Sequence, residues 1–339
     1  APAATPTPSV APTTAAKTAV PAPTATLPPQ PTATATKRPL EKVTFNQPTA
    51  RGIGMIAYFV GLDKGYYQEE GLDVNLQEVA SAISVKSLIA GGQDFEGSLG
   101  SSKAAILQGA PLKGIFIGRV VNPFYLVTKP EIKTFADLKG KRIGVAAVGS
   151  ALDIATSVVL RKNGLDPQKD VAWVGLGPGS SRFNAIKGGA IEAVVVEELD
   201  TLMLQAAGFN LLLFVGKEIP GASSGVAVNE KTLKERPNII KSMTRAMVKS
   251  QKFIKGPQGK DYVVKRFTGF DLAPDLAAKL YDTIKDSFTE GGWVDDAFLK
   301  ADLDRTREEL KVAEDFSVDR VYDLTFAKQA SQDLANWKP

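Results

Sequence analysis

Arg119-Val120-Val121-Asn122-Pro123-Phe124-Tyr125-Leu126-Val127-Thr128-Lys129 divides the chain, because the residues before it are echoed by the residues after it. Upstream run Gly71-Leu72-Asp73-Val74, a segment over residues 84–90, and Gly91-Gly92-Gln93-Asp94-Phe95. Downstream run Gly164-Leu165-Asp166, Val171-Ala172-Trp173-Val174, a segment over residues 180–187, and Gly189-Ala190-Ile191-Glu192-Ala193. Each copy reads as a strand entered through Gly-Leu-Asp, a helix stopped by glycine, and an acidic residue three positions past that glycine opening the next strand. Alternating strand and helix units on both sides predict two α/β lobes. Residues 119–129 then form a first hinge strand.

A chain of 339 residues with 44% hydrophobic content buries more than one core. Residues 1–40 belong to neither. They are almost entirely Ala, Pro, Thr and Val, without an aromatic residue and without an acidic one, so they lack the apolar surface that would offset chain entropy. An extended, partly polyproline-like tether is the expectation. No apolar run approaches a membrane span. The tether suits an extracytoplasmic protein held at a membrane face through its N-terminus, by a lipid on a cysteine upstream of Ala1. The chain has neither cysteine nor histidine, which removes Cys/His zinc sites, thiol nucleophiles, histidine bases and disulfides. No cofactor or metal is expected. The formal charge of +4 arises from 41 basic and 37 acidic residues mixed along the chain, with no basic stripe for nucleic acid.

After the tether, residues 43–46 read as a strand and 47–52 as its exit loop. An apolar face through Met55, Ile56, Phe59, Val60 and Leu62 predicts a helix over 54–67, interrupted at Gly65. Residues 72–79 alternate as a strand, 83–90 form a helix, 95–99 a strand ending in Gly100-Ser101-Ser102, 103–108 a helix, and 112–118 a strand. Past the crossover, Thr134-Phe135-Ala136-Asp137 is a capping box. A strand over 142–147 leads through Gly149-Ser150 into a helix over 151–162. Strands over 171–174, 191–196 and 210–215 and helices over 181–187 and 197–207 complete the second lobe, and residues 221–228 make the return crossing. From Pro237 the pattern is helical throughout, with Asp295 or Asp296 capping a helix that starts at Ala297. One lobe therefore comprises residues 41–120 with 221–339, the other residues 121–220.

Several of these motifs carry a resemblance. Gly65-Tyr66-Tyr67-Gln68-Glu69-Glu70-Gly71-Leu72-Asp73-Val74 resembles the entry segment of ABC-transporter solute-binding proteins of the nitrate, sulfonate, taurine and thiamine-pyrimidine-precursor type. Leu88-Ile89-Ala90-Gly91-Gly92-Gln93-Asp94-Phe95, Gln108-Gly109-Ala110-Pro111-Leu112-Lys113 and Asp137-Leu138-Lys139-Gly140-Lys141-Arg142-Ile143-Gly144-Val145 look like that family's further signatures, in the same order. The similarity spans residues 45–216. It implies a type II periplasmic-binding-protein fold: two α/β lobes, each a mostly parallel sheet flanked by helices, two crossing strands, and a ligand held in the cleft by hinge closure. It also implies a small-molecule solute and a membrane permease as partners, with the protein itself expected to be monomeric.

Open parallel sheets bind ligands beyond the carboxyl ends of their strands, where helix N-termini present unpaired N–H groups. That rule selects Gly52 and Gly54, Ser81, Ser101 and Ser102, Arg119 and Asn122, Gly149 and Ser150, Ser181 and Arg182, Glu197, and Ser223. Serines before a helix also serve as caps. Arg119 and Arg182 suit a carboxylate or sulfonate, although Arg182 is equally placed to pair with Glu197 or Glu198, and Arg119, at the end of a buried strand, needs a partner. Asp94 and Glu192 suit structural roles on loop N–H groups. Tyr125, beside the crossover, is placed to stack on a ring-bearing ligand.

Together these residues read as a non-catalytic receptor. An enzyme on the same fold, akin to the pyrimidine-precursor synthase or a dehydratase, is the alternative, but the synthase resemblance implies iron and histidine chemistry and this chain has no histidine. A sensor reporting to a membrane kinase would use the same cleft. The two arginines suit a small anion, whereas Glu197-Glu198 suit an amine or an aminopyrimidine.

Overall fold

The computed structural model describes residues 1, 3, 39–48 and 52–339. The expected tether lies almost wholly outside the described residues, as does the 49–51 part of the first exit loop. The echo is a repeat of topology. One five-stranded sheet contains β1 (Glu41–Gln47), β2 (Leu72–Glu78), β3 (Phe95–Glu96), β4 (Leu112–Val121) and β10 (Pro220–Asn229), in the order β2-β1-β3-β10-β4. The other contains β5 (Tyr125–Thr128), β6 (Lys141–Val145), β7 (Val171–Gly175), β8 (Ala193–Val196) and β9 (Asn210–Phe214), in the order β7-β6-β8-β5-β9.

Matching β1 to β6, β2 to β7, β3 to β8 and β4 to β9 makes the two orders coincide. The neighbours among β1–β3 and β6–β8 run parallel. β10 in the first sheet and β5 in the second run antiparallel to both their neighbours. Each sheet is thus parallel except for one strand, and that strand is the one arriving from the other sheet. Parallel pairs need a crossover helix; here these are α1 (Ile56–Asp63) and α2 (Tyr66–Glu69), α3 (Ser81–Ile89), α4 (Leu99–Leu107), α5 (Ala151–Lys162), α6 (Gly179–Lys187) and α7 (Glu198–Ala206). The central strand β8 is apolar on both faces, and all four of its residues are buried, as a sheet covered by helices on both sides requires.

The crossover differs from the expected continuous hinge strand. β4 runs on to Val121 and β5 begins at Tyr125, with Asn122-Pro123-Phe124 between them; Pro123 has no N–H to give a ladder, so the strand breaks there. The return passes through α8 (Val215–Glu218) into β10. The two crossings touch: Asn122 Nδ2 donates to the Ile219 carbonyl at 2.8 Å, and a Cβ on Gly216 would lie 2.2 Å from the Asn122 carbonyl oxygen. Only glycine fits that approach.

The third strand is shorter than expected. Glu96 Oε1 takes the Ser98 N–H at 2.9 Å and the Tyr58 hydroxyl donates to the Gly97 carbonyl at 2.9 Å. Those bonds end the ladder, so α4 begins at Leu99 and residues 100–102 are helical rather than a loop. The capping box forms, with Asp137 Oδ2 accepting from Thr134 N at 2.9 Å. Asp295 Oδ1 caps the helix beyond it by accepting from Phe298 N at 2.8 Å.

The C-terminal part adds α9 (Glu230–Glu235), α10 (Pro237–Lys255), α11 (Gly259–Thr268), α12 (Pro274–Ile284), α13 (Asp296–Leu310), α14 (Val318–Val321) and α15 (Thr325–Asp333). Ile239, Ile240, Met243, Ala246, Met247 and Phe253, spaced for one helical face, are all buried in the core of the first sheet's layer. Each contributes about 1.5–3 kcal/mol of apolar burial where the side chain is large. α10 is also pinned by charge, with Lys249 Nζ 2.6 Å from Glu70 Oε1 and Arg245 Nε 2.7 Å from Glu70 Oε2. Among the described residues, no helix is long and apolar enough to cross a membrane.

Candidate functional site

The carboxyl ends of the strands of both sheets converge on one cleft. From the first sheet's side it is lined by Gly52, Gly54 and Met55 after β1, Ala80 and Ser81 at the start of α3, Ser98 before α4, and Ser224 on β10. The second side supplies Ala146, Leu152, Gly177, Pro178, Arg182 and Glu197, with Pro123 and Phe124 of the crossing at the base. The enclosed space is about 30 Å³. One water needs roughly 10–15 Å³, so the walls stand close together.

Two ion pairs form the charged part of the site. Arg182, 3% exposed, donates from Nη2 to Glu197 Oε2 at 2.8 Å and from Nη1 to the Gly177 carbonyl at 2.9 Å. Behind the lining, Arg119 Nη2 lies 2.8 Å from Glu198 Oε1, and Arg119 Nε donates to Ser287 Oγ at 2.8 Å. This second pair joins β4 of the first sheet to the start of α7, which packs on the second. Burial pushes the Glu198 carboxyl up, and the Arg119 charge opposes that rise. Burial, aided by the Glu198 charge, also raises the Tyr125 phenol. Breaking such a pair by removing one partner costs about 3–5 kcal/mol, because the other charge stays buried.

On the opposite wall the hydroxyls of Ser81 and Ser98 bond at 3.2 Å, and those of Ser98 and Ser101 at 3.1 Å. Gly54 is required by closeness: a Cβ there would lie 2.4 Å from Ser224 Oγ and 3.9 Å from Arg119 Nη1. Behind Ser98 stands Glu96, fully buried, bonded to Ser84, Gln93 and the Ser98 N–H. Burial pushes its carboxyl up to about 7, against those hydrogen bonds.

Of the residues singled out from the sequence, Gly52, Gly54, Ser81, Arg182 and Glu197 line the cleft. The rest stand around it. Arg119 is in the layer behind. Ser101 reaches the wall only through Ser98, and Ser102 is buried in α4 with no hydrogen-bond partner for its hydroxyl among the described residues. Asn122 ties the two crossings, and Tyr125 stacks on Phe214 at 4.4 Å and 11°. Ser150 caps α5 by accepting from Asp153 N, Gly149 donates its N–H to Asp153 Oδ2 at 2.7 Å, and Ser181 is exposed. Ser223 precedes Ser224 on β10. Asp94 and Glu192 hold backbone, accepting from Thr44 N at 2.8 Å and Arg142 N at 3.1 Å.

The sequence does not single out Ser98, Met55 or Phe124, and within the candidate loop over 222–224 it names Ser223 rather than Ser224. Ser98 escapes because the sequence pattern carries the strand to residue 99, three residues past its end at Glu96. Ser224 sits where β10 shifts register twice, before and after it, so alternation along the strand cannot say which of two adjacent serines faces the cleft. The helical face that predicts α1 gives Met55 a core role, and nothing in sequence spacing brings Phe124 back beside Gly54.

A family model described as NMT1/THI5 like matches residues 53–259. YtlA of Bacillus subtilis (strain 168), which carries a binding-protein name, is 25% identical over 215 residues, covering 60% of this chain and 63% of its own. The chain thus spans about three-fifths of the length of the curated relatives it matches. Among solved structures, the periplasmic nitrate-binding protein NrtA from Synechocystis PCC 6803 superposes with a TM-score of 0.70 at 16% identity, covering 88% of this chain and 91% of that one. The alkanesulfonate-binding protein SsuA from Xanthomonas axonopodis pv. citri, bound to MOPS, gives 0.69 at 16%, covering 84% and 99%. Likeness at that identity is a likeness of fold, and it agrees with the repeated topology: two lobes of the type II periplasmic-binding kind. Since the matched segment takes in most of both sheets, the chain belongs to the NMT1/THI5-like family.

Proposed function

We propose that this chain is the extracytoplasmic solute-binding receptor of an ABC importer. It captures a small organic solute between its lobes, closes by hinge rotation, and presents the closed form to a membrane permease. The lobes in this reading are residues 41–120 with 221–339 and residues 121–220, and the hinge is the pair of crossings at Asn122-Pro123-Phe124 and residues 215–219. The observation that carries it is a cleft walled from both sheets, with hydroxyls on one side and Arg182–Glu197 on the other. Closing is a shift of population toward the form the solute favours. The binding-protein name of YtlA and the periplasmic names of NrtA and SsuA support the same reading. The Ala/Pro/Thr-rich residues 1–40 serve as a tether to a lipid anchor upstream, and the receptor acts as a monomer. Solute is held and released unchanged; the histidine ligands that iron chemistry of the synthase kind needs are missing from the sequence.

Native mass spectrometry of the freshly purified chain tests this directly. A retained small molecule, recovered chemically unchanged after prolonged incubation, is the expected result. Absence of any retained molecule, together with silent calorimetric titrations of sulfonates, carboxylates, nitrate and pyrimidines, would overturn it.

A further inference from the structure

Both arginines at this cleft, and two of the N–H groups at its helix entries, already hold a carboxyl group of the chain. Arg182 is taken by Glu197 and Arg119 by Glu198, each at 2.8 Å. The Gly149 N–H ahead of α5 is taken by Asp153 at 2.7 Å, and the Ser98 N–H ahead of α4 by Glu96 at 2.9 Å. The first turn of α7 carries Glu198 and Asp200 itself, so its positive end is occupied from within. An arriving anion would meet Glu197 at close range in a poorly screened site, where like charges repel strongly.

What remains open among the described residues is of two kinds: both carboxylate oxygens of Glu198, which faces Arg119 as an ion pair without a formed hydrogen bond, and two guanidinium N–H groups. Arg119 Nη1 and Arg182 Nε are buried without a hydrogen-bond partner among the described residues, in side chains that are 1% and 3% exposed. Their charge is compensated, yet each keeps an N–H that lacks an acceptor, and a buried donor left so is costly. A neutral acceptor satisfies such a group without adding charge. We propose that the solute is an uncharged molecule bearing hydrogen-bond acceptors of carbonyl, sulfonyl or ring-nitrogen type, and that Glu197 and Glu198 set this specificity by occupying the two arginines. This rests on the cleft being the solute site, and it parts company with the nitrate- and alkanesulfonate-binding names of NrtA and SsuA.

Ethanesulfonate and ethanesulfonamide differ in charge and hardly in shape, so they serve as the probes. Both are titrated calorimetrically at pH 7.5 into the wild-type chain, Glu197→Gln and Glu198→Gln, with folding of each checked by circular dichroism. The wild type is expected to bind the sulfonamide at least tenfold more tightly than the sulfonate. Glu197→Gln, by releasing Arg182, gains at least tenfold in sulfonate affinity with no matching gain for the sulfonamide; Glu198→Gln takes its place should that variant not fold. A wild type that prefers the sulfonate tenfold, or folded variants with no gain, overturns the proposal while the receptor reading stands. Absence of a retained solute in native mass spectrometry together with silent wild-type titrations overturns the receptor reading, and the gain in the variant still decides the charge question.

Discussion

Replacing Glu96 by Gln isolates one buried titration. Glu96 lies on β3 with no solvent exposure, and burial lifts its carboxyl from near 4.5 to about 7, with the bonds from Ser84, Ser98 N and Gln93 opposing. In the unfolded chain the same carboxyl gives up its proton near 4.5. Its contribution to stability is therefore fully present below about pH 4.5, declines as pH rises, and is lost once pH passes about 7. At about 1.4 kcal/mol for each tenfold difference in proton affinity, that gap amounts to about 3 kcal/mol. A chain without histidine has few other groups that titrate between pH 5 and 8, so the dependence stands on a quiet background. Urea denaturation of wild type and Glu96→Gln at pH 4.5, 6 and 8 reads it. The variant is expected to gain about 3 kcal/mol on the wild type between the first and last pH. Parallel curves for the two proteins across that range would refute the reasoning, since they would mean that Glu96 ionises alike in both states.

Three further substitutions probe the same geometry. Lys103→Met leaves Asp302 buried without its 2.6 Å partner and is expected to cost about 3 kcal/mol in urea denaturation; adding Asp302→Asn recovers part of that loss, and no recovery would show that the cost lies in packing instead. Tyr58→Phe removes a hydroxyl that donates to both Gly97 and Gly225 carbonyls, at 2.9 and 2.7 Å, so it should lower stability by about 1–3 kcal/mol; a change under about 0.5 kcal/mol would contradict it. Gly54→Ala places a methyl 2.4 Å from Ser224 Oγ on the cleft wall, and it should abolish retention of the co-purified solute in native mass spectrometry and, through the same overlap, lower the melting temperature. Unaltered retention would place the solute elsewhere.

The sequence by itself determined the alternation of strands and helices, the echo across residues 119–129, the capping by Thr134 with Asp137 and by Asp295, and the structural duty of Asp94 and Glu192. These depend on neighbours within a few residues or on a period, and such signals are local. Only the tertiary structure decided that β10 and β5 trade sheets and enter reversed, that Pro123 cuts the crossing strand in two, and that Ser98 rather than Ser102 stands on the cleft wall. It also decided what the arginines are for. Arg182 meets Glu197 across fifteen residues, and Arg119 meets Glu198 across seventy-nine, because sheets of repeated topology bring their strand ends to the same place. Whether a buried guanidinium is free for a ligand depends on which carboxylate lies within about 3 Å, and no spacing along the chain records that distance.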